Sequence, residues 1–225
     1  LQKESLLCST MDPVYLMKRF SVLKRNSSIV HKHIRGAFYD YHPNITEWDK
    51  PVERVFNGQK IMGRPTRGFG DAPFKYAGKR YSPDPWETAP AILAIKIAAE
   101  SLITERFLQE VNFTFCLAGH YPQGSDSIPH HSDTVPSQDS LVLSISFGAP
   151  RLFEWNQYSY YIKKKTNTSK THILHGEKYL KTTRYILEHG DVILFDGDSQ
   201  MTSTHAVPSL EETGERINLT FRTDI

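Results

Sequence analysis

Cysteine is almost missing from this chain: Cys8 and Cys116 are the only two among 225 residues. Two thiols make neither a disulfide framework nor a zinc cage. The expected setting is therefore intracellular and reducing, with nucleus and cytoplasm left open. No run approaches the roughly eighteen consecutive apolar residues that a membrane span needs, and no membrane contact is expected. Overall charge is also slight, +2 at neutral pH, so no partner class is implied by total charge alone. Residue 1 is leucine rather than an initiator methionine, so targeting signals ahead of it cannot be read.

What is present is ordinary for a globular protein: 39 % hydrophobic and 23 % charged residues. The length suits one domain with a full core, or one domain plus an N-terminal extension, and a monomer is expected. Charge is distributed unevenly. Residues 1–70 hold twelve Lys/Arg against six Asp/Glu, a balance of +6, which leaves −4 for the remainder. A positive N-terminal third suits phosphate contacts; a solvated surface carrying Lys18, Arg19, Lys24, Arg25, Lys32 and Arg35 accounts for it equally well. Residues 1–50 are expected to form a basic extension packed on a domain spanning 51–225. Within the extension, Val14, Leu16, Met17, Phe20 and Leu23 suggest a helix starting near Asp12-Pro13, since proline is tolerated in a first turn. His31, His33 and His42 are expected at the surface.

From Val52 to Tyr81 the chain is rich in Gly, Pro and Arg, which predicts hairpins and loops. Residues 88–108 carry Ile92, Ile95, Ala99, Leu102 and Ile103 on one helical stripe, with Lys96, Glu100 and Glu105 off it. A helix is predicted there. Strands are predicted over 112–121, 140–147, 151–156, 182–189, 191–197, 203–208 and 215–222, and an exposed loop over Lys163 to Lys170. Many short strands without helices between them indicate an antiparallel sandwich or barrel. The fold class is mainly β with flanking helices (α+β). Asn167-Thr168-Ser169 matches a glycosylation acceptor, a chance match in an intracellular protein.

Two stretches carry chemistry. In Ile128-Pro129-His130-His131-Ser132-Asp133, strand periodicity puts His131 and Asp133 on one face, with Ser132 turned away. His130 falls on the opposite face and is assigned to packing or surface. The best third ligand is His205, in a distant strand, because two histidines and one carboxylate hold non-heme Fe(II) with an open face. His120, His172, His175 and His189 have no partner at useful spacing and are read as structural. The second stretch, Arg216-Ile217-Asn218-Leu219-Thr220-Phe221-Arg222, alternates polar and apolar residues. A strand face with two guanidiniums, an amide and a hydroxyl is costly in a core unless a ligand pairs it. An organic dicarboxylate answers that description.

His131-x-Asp133, His205 and Arg216-x-Asn218-x-Thr220-x-Arg222, with Arg216 eleven residues after His205, resemble the AlkB-like branch of the Fe(II)/2-oxoglutarate dioxygenases. The resemblance continues upstream through Tyr121-Pro122-Gln123-Gly124, Arg67-Gly68-Phe69-Gly70-Asp71, Pro73 to Gly78 and Tyr81 to Trp86. It spans roughly residues 64 to 225 and is greatest for the subgroup that repairs alkylated bases in nucleic acid. The family implies a double-stranded β-helix (jelly-roll) core over about 112–225, with a nucleotide-recognition lid over about 60–82. It implies Fe(II), 2-oxoglutarate and dioxygen, with the metal on His131, Asp133 and His205. Arg216 is then expected to pair with the distal carboxylate of 2-oxoglutarate. Tyr121 and Asn218 are expected to support the co-substrate, and Arg222 to lie near its chelating end and Asp133. Tyr76, Phe74 and Arg67 are expected to meet the substrate, Tyr76 by stacking on the base; core packing is an equal alternative for Phe74.

The implied reaction is oxidative demethylation of N-alkylated bases in DNA or RNA. The alternative is a 2-oxoglutarate-dependent hydroxylase acting on a protein, a small molecule or another nucleobase position. In two places the chain departs from the family. Gly119-His120-Tyr121 stands where the family usually has Asn-x-Tyr, and Thr134-Val135 where it commonly has an acidic residue. Either Asp139 or Gln138 reaches the base in its stead, or the base is chosen differently.

Overall fold

The structure is a computed structural model that describes residues 32–51, 53–56, 59–71, 73–76, 79–107, 109–133, 141–158, 161–165, 171–175, 179–196, 199 and 203–223. The helix expected near Asp12-Pro13, and His31, lie outside these residues. A compact unit begins at residue 31.

Two antiparallel sheets organise the fold. The larger one has six strands: β1 (Lys32–Ile34), β4 (Thr66–Gly70), β7 (Phe115–Tyr121), β9 (Leu141–Gly148), β14 (Val192–Asp196) and β16 (Arg216–Arg222), in the order β1-β14-β9-β16-β7-β4. The smaller has β8 (Ile128–His131), β10 (Arg151–Tyr158), β13 (Tyr179–Leu187) and β15 (Ser203–Val207), in the order β13-β10-β15-β8. Neighbours in these lists are often distant in sequence, as a jelly roll requires. One buried cluster draws on both sheets: Tyr121, Val142, Ile193 and Phe195 from the larger, Phe153, Trp155, Leu187 and Val207 from the smaller. The fold is therefore the expected mainly β jelly roll with a flanking helix.

Three further hairpins stand outside the two sheets: β2 (Glu53–Phe56) with β3 (Gln59–Met62), β5 (Phe74–Tyr76) with β6 (Lys79–Tyr81), and β11 (Tyr161–Lys165) with β12 (Thr171–His175). The last corrects the expectation of a loop from Lys163. Lys163, Lys164 and Lys165 pair with Ile173, His172 and Thr171; cross-strand pairing, not apolar alternation, makes them a strand. Residues 166–170 lie outside the described residues.

The helix α1 spans Pro90–Phe107, close to expectation. Ile92, Ile95, Ala99 and Ile103 are at most 1 % exposed. Lys96 is also buried, against the expected polar side. Its Nζ donates to Glu100 Oε1 at 2.7 Å and Asn112 Oδ1 at 3.2 Å, and lies 5.6 Å from the Trp86 ring centroid. The aliphatic stem is buried while the ammonium keeps polar partners. Glu100 Oε1 also accepts from the Phe113 amide at 2.8 Å, tying the helix to the segment that leads into β7. No helix among the described residues is long and apolar enough to cross a membrane.

Residues 33–39 are clasped to the sheet by one buried carboxylate. Asp191 accepts from the Gly36 amide at 2.7 Å, from the Glu188 amide at 3.1 Å and from His33 Nε2 at 2.9 Å. His33 is thus a structural anchor and not the surface residue expected; its partner lies 158 positions away. Beside it, Gly190 adopts φ +79°, and an added Cβ would lie 2.4 Å from the Tyr39 amide nitrogen. Only glycine fits that approach. Asp191→Ala is expected to cost about 3 kcal/mol, because three donors lose one shared, buried acceptor; urea unfolding at neutral pH measures it.

Candidate metal centre and co-substrate pocket

β8 and β15 run antiparallel with His131 directly opposite His205, next to an irregularity that separates His205 from Val207. That register brings the two imidazoles together, with ring centroids 4.3 Å apart. Asp133 follows two residues after His131, just beyond β8, while Ser132 turns away and donates to the Ser203 carbonyl at 2.6 Å. The ligand atoms of His131, Asp133 and His205 all lie within 4.8 Å of one another. His131 Nε2 is 3.8 Å from Asp133 Oδ1, and His205 Nε2 is 3.9 Å from Asp133 Oδ2.

Protonation states favour a metal. Burial, chiefly, pushes His205 down to about 3, with the neighbouring His131 adding to this and Asp133 opposing it. Burial lowers His131 as well, against the pull of Asp133. Both rings are therefore neutral near pH 7 and carry a lone pair. His131 Nδ1 lies 2.8 Å from the Pro129 carbonyl; donation there fixes the tautomer that leaves Nε2 free for a metal. Burial alone would raise Asp133, but Arg222, His205 and His131 outweigh it and hold the carboxyl at about 2. Arg222 Nη2 lies 2.9 Å from Asp133 Oδ1. Phe153, Trp155 and Phe195 surround His205 at 5.3 to 5.9 Å between centroids, leaving the ring little freedom to turn. Two neutral nitrogens and one carboxylate on one side of a common point suit Fe(II) with open positions opposite.

A second set of side chains lines the same cavity: Arg216, Asn218, Thr220 and Arg222 from β16, Ser144 from β9, Tyr121 from β7, and Arg64. Arg216 is 1 % exposed. Its Nη2 donates to Ser146 Oγ at 2.9 Å and Asn218 Oδ1 at 2.8 Å, while Nε and Nη1 are buried without a hydrogen-bond partner. Unmet donors on a buried cation are costly, and a carboxylate matches the guanidinium fork. Asn218 is itself held by Ser144 Oγ at 2.9 Å and by Thr220 Oγ1 at 2.8 Å. The residues present thus fit both the iron and a keto-diacid.

Of the expected substrate residues, Arg67 is not in this cavity. Its Nε donates to Asp84 at 2.5 Å and its Nη1 lies 3.6 Å from Glu47, beside a separate cleft lined by residues 43–47 and 88–92. Both carboxylates hold the guanidinium at this cleft. Phe74 and Tyr76 occupy β5 opposite Tyr81 and Lys79; their side chains, and residues 134–140, lie outside what the structure describes. His120 pairs with Glu215 at 2.6 Å and stacks on Trp48 at 4.7 Å, and His189 bridges the Gly148 amide and the Tyr39 carbonyl. Both are structural, as expected. His130 faces Asn156, Thr204 and Glu154 rather than the metal ligands. Arg64 is the residue that sequence reasoning passed over; the signal available for it was the glycine at 119.

Comparison with known proteins agrees with this geometry. The sequence model of the 2OG-Fe(II) oxygenase superfamily matches residues 31–222. Alpha-ketoglutarate-dependent dioxygenase alkB homolog 3 of Bos taurus is 31 % identical over 165 residues, covering 71 % of this chain and 51 % of the relative. The Rattus norvegicus protein of that name is 32 % identical over 165 residues, with 71 % and 50 % covered. The Homo sapiens protein is 30 % identical over 167 residues, with 71 % and 51 % covered. The chain spans about half the length of the curated relatives it matches. With its fold, its His131-Asp133-His205 cluster and a family match over most of its length, the chain belongs to the 2OG-Fe(II) oxygenase superfamily.

Proposed function

We propose that this protein carries out Fe(II)- and 2-oxoglutarate-dependent oxidative dealkylation of N-alkylated bases in DNA or RNA. The observation that carries the reading is one cavity lined both by the three candidate metal ligands and by Arg216 with two unmet donors. The similarity to dioxygenases named alkB homolog 3 and the basic balance of residues 1–70 favour nucleic acid as substrate.

Iron bound with 2-oxoglutarate and dioxygen would supply the oxidation: one oxygen atom enters a C–H bond of the base's N-methyl group, giving N–CH2OH, and the other leaves in succinate formed with loss of CO2. The N–CH2OH product then breaks its C–N bond, releasing formaldehyde and returning a proton to the base nitrogen. The protein's own groups prepare this chemistry. His131 and His205 offer neutral nitrogens, and Arg222 keeps Asp133 anionic and oriented. Arg216 takes the distal carboxylate, while Tyr121 and Asn218 wall the pocket. Phe153, Trp155 and Phe195 keep bulk water from the His205 side.

The hairpins β2–β3 and β5–β6 are the lid in this reading, and Tyr76 is the residue that stacks on an extruded base. Such stacking is worth about 1–3 kcal/mol, comparable to the few kcal/mol spent on extrusion. Tyr76→Ala is accordingly expected to raise KM for a methylated oligonucleotide roughly five- to 150-fold, with KM for 2-oxoglutarate unchanged. The function itself is tested by incubating a panel of methylated oligonucleotides with enzyme, Fe(II) and 2-oxoglutarate and weighing the products. A net loss of CH2 from at least one of them is expected. Succinate release with no mass change on any oligonucleotide would point to a protein or small-molecule hydroxylase instead.

A further inference from the structure

Tyr121 sits in β7 between two neighbouring strands, and an arginine faces it from each. On one side Arg216 of β16 is its registered partner. On the other, β4 pairs Thr66 with Gly119, and the ladder continues with the His120 amide donating to the Pro65 carbonyl at 2.9 Å. One more step along that antiparallel register sets Arg64 opposite Tyr121. The side chains follow the backbone: the guanidinium carbons of Arg64 and Arg216 lie 4.9 and 4.8 Å from the Tyr121 ring centroid.

From this row Arg64 leans over Gly119. A Cβ added at 119 would lie 2.5 Å from Arg64 Nε and 3.0 Å from its Nη2, so the missing side chain is the space that the guanidinium fills. Gly119 is paired with Asn218 across β16, and leaning over it carries Arg64 into the cavity lined by Asp133, Asn218 and Arg222. Arg64 also bears electrostatically on Asp133, His131 and Arg216. It therefore lines one cavity together with the candidate metal ligands and the arginine expected at the far carboxylate.

We propose that Arg64, seated by the bare backbone of Gly119, is a third arginine that binds a carboxylate of the keto-diacid, beside Arg216 and Arg222. The proposal rests on the function proposed above. Arginine suits the task because its donors stay charged at any working pH and meet carboxylate oxygens in a fork.

The test is calorimetric titration of 2-oxoglutarate into the full chain loaded with Mn(II) in place of Fe(II), so that binding is read without turnover. Arg64→Ala is expected to weaken binding roughly ten- to hundredfold, as for the loss of a hydrogen bond to a charged group. In assays with Fe(II), the KM for 2-oxoglutarate should rise by a similar factor, with kcat little changed. Gly119→Ala should weaken binding comparably, because the added methyl displaces the flexible end of Arg64 rather than backbone. The double variant should bind about as well as Arg64→Ala alone, and thermal melts of all three verify that they fold.

Wild-type affinity in Arg64→Ala, alongside lost binding in Arg216→Ala, would overturn the proposal and leave the proposed function standing. Losses that multiply in the double variant would overturn the seating by Gly119. An effect confined to oligonucleotide KM would make Arg64 a substrate contact instead. No binding of 2-oxoglutarate by the wild-type chain would sink this proposal and the proposed function together.

Discussion

Replacing His205 with alanine is expected to abolish turnover and reduce Fe(II) affinity by more than the roughly 10–100-fold that loss of a mere supporting contact costs. The reason lies in the strand register. β15 presents His205 opposite His131, and Phe153, Trp155 and Phe195 close around its ring, so no other described imidazole can swing in. His130, the rival of His131 in sequence, is engaged with Asn156 and Glu154. His130→Ala should therefore keep both iron and activity. Anaerobic titration with Fe(II), followed by succinate release, separates the two variants. Equal iron affinity in wild type and His205→Ala would remove His205 from the site.

Arg216→Ala is expected to fail differently. Iron should still bind, because Arg216 donates to Ser146 and Asn218 and to none of the three candidate ligands. Co-substrate binding should collapse: removing one partner of a buried, hydrogen-bonded charge pair costs about 2–5 kcal/mol, roughly a thirty- to several-thousandfold rise in KM for 2-oxoglutarate. At ordinary co-substrate concentrations such an enzyme is silent, while a large excess should recover part of the rate. Measuring succinate release across a wide 2-oxoglutarate range distinguishes this from general damage. An unchanged KM would mean that the unmet Nε and Nη1 donors serve something other than the keto-diacid.

These sites were legible to the degree that local periodicity encodes them. His131 and Asp133 share a face because a strand repeats every two residues, and the alternation from Arg216 to Arg222 declares its polar face just as directly. Their meeting with His205 depends on register between strands far apart in sequence, which no local pattern states; the family resemblance supplied it. Non-local partners explain the misses. Lys96 reads as solvent-facing on a helical wheel, yet Asn112 and Trp86 enclose it. His33 reads as a surface residue in its polar stretch, yet Asp191, 158 positions away, holds it. The lysines at 163–165 show no alternation, and their strand exists only through pairing with 171–173. Arg64 announces nothing by itself, and only the absence of a side chain at Gly119 makes room for it.

The central claim is that three side chains from two strands hold one iron. X-ray absorption at the iron edge of the anaerobic Fe(II)-loaded protein reads this directly. One iron per chain is expected, with two imidazole nitrogens in its shell and oxygen at the remaining positions. In His205→Ala, any residual iron should show a single imidazole. A shell without imidazole, or one identical in wild type and His205→Ala, would contradict the account.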